Sequence, residues 1–199
     1  MFEIGGSQHT VHLTLYTDAF VLNGSIETRQ RRITDILNQA EESFLILSDV
    51  TFDEFGTTGQ TTRAPYAQVN LASVLFAVAQ DIVEPMPELR TPKSAEQALI
   101  SIPPFKVAGD IHVLPERDLR FALAELTGTF IPVTNASYWS DTLGEARTRA
   151  SLVAVNRARA QILAPHREVD PWVGLPVGAA ADPGTDVEAD PAPDPDPWR

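Results

Sequence analysis

The chain has 199 residues, enough for one domain or two small ones, with 43% hydrophobic residues, 16 prolines and a net charge of -12. It contains no cysteine, which excludes disulfides, thiolate metal sites and thiol nucleophiles, and no apolar run approaches the ~18 to 20 residues of a membrane span. Residues 1–6 lack the basic-then-apolar layout of a signal peptide, so a cytoplasmic protein without membrane insertion is expected.

From the N-terminus, Val11, Leu13 and Leu15 alternate with polar residues at the period of a half-buried strand, and a second strand is expected over 20–28. Ile33, Ile36, Leu37 and Ala40 then recur at i, i+3, i+4 and i+7, the apolar face of a short helix with Thr34 as its N-cap. An apolar strand over 44–52, a Gly/Thr loop and an extended stretch over 66–79 follow. That stretch is one bent strand or two joined at Asn70, since Asn tolerates the left-handed conformation of tight turns. Residues 84–92, with Pro85, Pro87 and Pro92, have the composition of a linker.

The series then returns at an offset of 85 to 86 residues. Phe20, Gly24 and Ile26 stand where the second copy has Phe105, Gly109 and Ile111, with its first strand near 98–102 and its second over 105–113. The helical set Ile33, Ile36, Leu37 and Ala40 matches Leu119, Ala122, Leu123 and Leu126, ending before Gly128 as a C-cap. Phe44 matches Phe130, Phe52 matches Tyr138, and Thr62, Arg63, Ala64, Val69, Asn70 and Ala72 reappear as Thr148, Arg149, Ala150, Val155, Asn156 and Ala158. Recurrence of the Thr-Arg-Ala runs and the two asparagines points to a structural requirement.

A unit of four or five strands and one helix is too small for an open sheet that leaves edges and an apolar face in water. The expected fold is therefore mainly β with short helices (α+β): two tandem copies of a small β-barrel or roll, over residues 1–90 and 91–167, each with one embedded short helix. Residues 168–199 are rich in Asp and Pro with little to bury, and are expected to form a disordered acidic tail.

Charge divides along the same lines: 13 acids and 6 bases in residues 1–97, 6 and 8 in 98–167, and 8 and 1 in 168–199. Only the middle segment would attract an anionic partner. Within it Arg149, Arg157 and Arg159 are the candidate anion or partner face, Arg157 and Arg159 sharing one side if the chain is extended there. The alternative is that they pair with acids of the first copy or the tail. Asp170-Pro171-Trp172 recurs as Asp196-Pro197-Trp198, so Trp172 and Trp198 are candidate anchors of a short linear motif, or a chance product of abundant Asp-Pro pairs.

No catalytic, metal or cofactor site is expected. His9 and His12 fall on opposite faces of a strand, His112 and His166 have no ligand spacing, and the carboxylate pairs Asp53–Glu54 and Glu41–Glu42 have the look of solvated positions. Phosphate-loop, nucleophile-elbow and nucleotide fingerprints are missing from the sequence.

The order of a strand with central Gly24, then Asp35, Ile36, Leu37 and Asn38, an apolar strand over 44–50 and a last stretch over 66–79 resembles Sm-like small-barrel domains. In that family a comparable glycine lets a strand bend, and an Asp and an Asn help to bind RNA beside an Arg-Gly turn. Here Asp35 and Asn38 lie in a helical pattern, the second copy has neither, and no Arg-Gly turn follows Asn70 or Asn156. The resemblance implies a small-barrel fold and a homo-oligomer. The expected function is a non-enzymatic adaptor, regulator or scaffold that binds another protein, with RNA binding through the basic face of the second copy as the alternative. A net charge of -12 disfavours phosphate contacts.

Overall fold

Alternating burial defines the first strand: Val11, Leu13 and Leu15 are buried in β1 (His9–Thr17), while Thr10 and His12 face solvent. The computed structural model describes residues 8–40, 43–57, 61–80, 93–114, 120, 124 and 126–166. Over these the chain continues through β2 (Phe20–Thr28), α1 (Ile33–Asn38), β3 (Phe44–Glu54), β4 (Thr62–Asn70), a 3-10 turn (Leu71–Ser73) and β5 (Val74–Ala79). The second half comprises β6 (Ser94–Ile102), β7 (Phe105–Val113), β8 (Phe130–Ser140), β9 (Glu145–Asn156) and β10 (Ile162–Pro165).

Helix α1 buries Ile33, Ile36 and Leu37, as its periodicity predicts, but Thr34 is not its N-cap. The extended Arg32 precedes the first turn and Thr34 sits buried inside it, because Ile33 already faces the core. Of the second helix, Arg120 and Ala124 are helical, and its apolar residues Leu119, Ala122 and Leu123 lie outside the described residues. The linker at 84–92 and the tail with Trp172 and Trp198 lie outside them too.

All ten strands belong to one antiparallel sheet in the order β10-β6-β7-β8-β9-β5-β1-β2-β3-β4. The expectation of two tandem barrels thus meets continuous hydrogen bonding, because β5 pairs with β9 at Phe76↔Val155, Ala77↔Ala154 and Val78↔Val153. Either side of this seam has the same order, β5-β1-β2-β3-β4 and β10-β6-β7-β8-β9. The registers correspond as well: Leu15↔Leu22 with Ile100↔Val107, Leu13↔Ala79 with Ala98↔Pro165, and Phe44↔Asn70 with Phe130↔Asn156.

Two hydrophobic cores lie on opposite faces of the seam. Val153 and Val155 of β9 enter one core with Ile100, Ile102, Phe105 and Val133, while Ala154 between them enters the other with Leu13, Leu47, Val69 and α1. Successive residues of a strand point to opposite faces, so a strand apolar at each of these positions must be covered on both sides. In β5 a bulge places Leu75 and Phe76 together in the first core, since Tyr16 pairs with Phe76 and Thr17 with Val74.

Each meander also bends at one glycine. Gly24 and Gly109 each face two residues of the next strand, and one of those two, Asp49 or Asn135, has positive φ (52° and 49°). A Cβ on Gly109 would lie 2.7 Å from the Thr134 carbonyl oxygen, so any larger residue must displace β8 itself. On Gly24 the nearest contact would be 3.1 Å, from the Leu47 side chain.

Candidate protein-docking edge

Strand β4 ends the sheet, paired to β3 on one side and, among the described residues, to no strand on the other. Its inward residues follow the alternation of a half-buried strand, with Val69 in the core beside Leu45 and Leu47. Outward, Ile46 pairs with Gln68, Ser48 with Tyr66 and Phe44 with Asn70, so these six side chains share one face. On it Phe44, Ile46 and Tyr66 are 41%, 64% and 71% exposed. Three large apolar groups thus flank a strand edge that no described strand pairs, the arrangement that recruits another strand.

The seam shows what covers the corresponding surface in the other half. There β9 stands to β8 as β4 stands to β3, and Phe130 and Asn156, at the places of Phe44 and Asn70, are 2% and 1% exposed. The Asn156 side-chain amide donates to the carbonyls of Val74 (2.9 Å) and Leu71 (3.3 Å), and its Oδ1 accepts from the Ala158 N–H (3.0 Å). The Asn38 side chain holds both backbone groups of Phe130, donating to its carbonyl at 2.8 Å and accepting from its N–H at 2.9 Å. Asn70 keeps only the local part of this pattern: its Oδ1 accepts from the Ala72 N–H (2.9 Å). Its backbone is extended (φ -71°), so it serves as the side-chain cap of the 3-10 turn and not through the left-handed conformation expected of it.

An aromatic cluster closes the seam. Phe76 stacks on Tyr16 (centroids 4.4 Å apart) and meets Phe105 edge-on at 5.2 Å, and the Tyr16 and Tyr138 hydroxyls share a hydrogen bond of 3.1 Å. Burial, helped by the Tyr138 hydroxyl, pushes the Tyr16 phenol well above the ordinary tyrosine range. The folded state therefore favours the neutral phenol. Its contribution is complete below the unfolded value of about 10 and is lost as the pH rises above that. Alkaline titration is expected to destabilise the protein from about pH 10 upward. In Tyr16→Phe that part of the alkaline slope should vanish; denaturant unfolding between pH 8 and roughly pH 11 checks it.

The three candidate arginines do not form one face. Arg157 and Arg159 follow β9 in a turn, not an extended strand, because Asn156 caps that turn at Ala158. Arg159 reaches both carboxylate oxygens of Asp18 at 2.6 Å, so its charge is matched by an acid of the first half. Arg157 donates to the Leu126 carbonyl. Arg149 pairs with Ser137 far back along β9, roughly 23 Å from Asn156 at ~3.3 Å per residue, and is exposed. His112 bonds Thr134 at 2.7 Å, and no group of three or more His, Cys, Asp or Glu that could hold a metal occurs among the described residues. Nor is any described helix long and apolar enough to cross a membrane.

No protein-family model, curated protein or solved structure matches this chain. The exposed β3–β4 edge is not among the candidate residues of the sequence, although a signal for it was present. Phe44, Leu45, Ile46 and Leu47 form an unbroken apolar run, which in a strand asks for cover on both faces.

Proposed function

We propose that the protein is a non-enzymatic adaptor or scaffold, built from a duplicated small β domain, that binds another protein along the β3–β4 edge. The observation that carries this reading is the exposed apolar face of Phe44, Ile46 and Tyr66 beside a terminal strand whose outer edge no strand pairs among the described residues. Strand addition would supply affinity through main-chain hydrogen bonds, and the three side chains would supply selectivity. Matching strand order and register on the two sides of the seam support the duplication. The pairing of Arg159 with Asp18 removes one cation from the alternative RNA face.

The test is site-specific photo-crosslinking in cells from a probe replacing Tyr66, with the same probe at Thr10 on the solvent face of β1 as control. Crosslinking to a defined protein at position 66 and not at position 10 is expected, and it should disappear with Ile46→Asp. Equal labelling at both positions would remove the β3–β4 edge as the binding surface.

A further inference from the structure

The two ends of the sheet carry the two halves of a joint that the molecule already contains once. At the seam, β9 offers its edge and β5 fills it. By strand order and register, β4 is the counterpart of β9, and β10 is the counterpart of β5. Strand β10 is itself the other terminal strand, and Ile162, at the place of the fully buried Phe76, is 60% exposed. Among the described residues, each molecule thus presents an unfilled copy of the receiving edge and an unfilled copy of the inserting strand.

From this we infer that the occupant of the β4 edge is β10 of a second copy of this chain, joined head to tail. The inference rests on the docking-edge reading above and names its partner. Carrying the seam register across gives the pairs Val69↔Ile162, Gln68↔Leu163 and Ala67↔Ala164 between neighbouring molecules. Phe44 is then covered as Phe130 is, and the Asn70 amide meets the carbonyls of Arg157 and Ala160 as the Asn156 amide meets those of Leu71 and Val74. Such a contact joins different surfaces of two identical molecules, so it leaves a free β4 at one end and a free β10 at the other, and growth continues until geometry closes it.

The copied joint is weaker than the internal one. Ala124 stands at the place of Asn38, so no side-chain amide clamps Phe44, and Pro103 and Ser73 stand at the places of Asp18 and Arg159, so no ion pair crosses it. Each copy also carries a charge of -12, which opposes association until salt screens it. Assembly is accordingly dissociable, concentration-dependent and favoured by salt.

Two measurements on the full chain decide the matter. A cysteine-free protein allows one engineered pair: Gln68→Cys with Leu163→Cys should give intermolecular disulfide ladders under mild oxidation, whereas Gln68→Cys with Thr10→Cys should not. In light scattering, Ile46→Asp/Tyr66→Asp and Ala164→Pro should each be monomeric alone, and an equimolar mixture should form a one-to-one heterodimer, since each retains the half the other lacks. A dimer formed by Ala164→Pro alone would show β4 meeting β4, and a wild-type chain monomeric at every concentration and salt tested would remove self-assembly; either overturns the inference. If the position-66 probe meanwhile captures a different protein, the adaptor reading stands without it.

Discussion

Replacing Phe76 by alanine is expected to cost about 3–5 kcal/mol, the largest single-residue loss in the molecule, because the ring is fully buried where both halves meet. It stacks on Tyr16 of the first half and contacts Phe105 and Tyr138 of the second, so truncation empties the centre of the seam and removes three aromatic contacts at once. In a chain of this size the melting temperature should fall by roughly 10 °C. Phe20 is the control: it is 36% exposed and among the described aromatic rings touches Phe52 alone, at 6.1 Å, so Phe20→Ala should cost less than ~1 kcal/mol. Urea unfolding of both variants provides the comparison. Equal losses would mean that the seam cluster does not hold the halves together.

Asn156→Ala should cost about 2–3 kcal/mol, since it leaves the buried Leu71 and Val74 carbonyls without their side-chain donor and also removes the cap on Ala158. The matching change at Asn70 removes one exposed capping bond and should cost ~0.5–1 kcal/mol. Asn156→Asp separates donor from acceptor: the carboxylate can still accept from Ala158 but now faces two carbonyl oxygens. It should be less stable than Asn156→Ala at neutral pH and should recover as the pH falls and the carboxyl regains a proton. Denaturant curves at pH 7 and roughly pH 4 test both claims. If Asn70→Ala and Asn156→Ala lose the same amount, the hydrogen bonds across the seam contribute nothing.

Much of the secondary structure is legible in the sequence because period-two alternation and turn chemistry are local. Strands β2 and β7 occupy the ranges expected of them residue for residue, and β3 runs only two residues further. The offset that aligns Phe44 with Phe130 and Asn70 with Asn156 also relates their pairings in the sheet. What the sequence conceals is the neighbour of each strand. The runs Leu75–Val78 and Val153–Val155 announce burial on both faces without saying that each covers the other. Arg159 illustrates the same limit from the polar side. Read as extended it joins Arg157 on a basic face, but the cap made by Asn156 turns it toward Asp18, a residue 141 positions away.

The seam also sets an order of events in time. Every other pairing in the sheet joins strands of the same half, whereas Phe76 must wait for Val155. A ribosome adding about 5–20 residues per second needs roughly 4–15 s to cover that interval, long after hairpins such as β1–β2 can close in microseconds. For those seconds the nascent chain holds Phe76 at an open strand edge. This pairing spans more of the chain than any other in the sheet, so its closure is expected to be the slow step of folding. The Tyr16 and Tyr138 rings, which meet only when it is complete, would report it in a refolding trace.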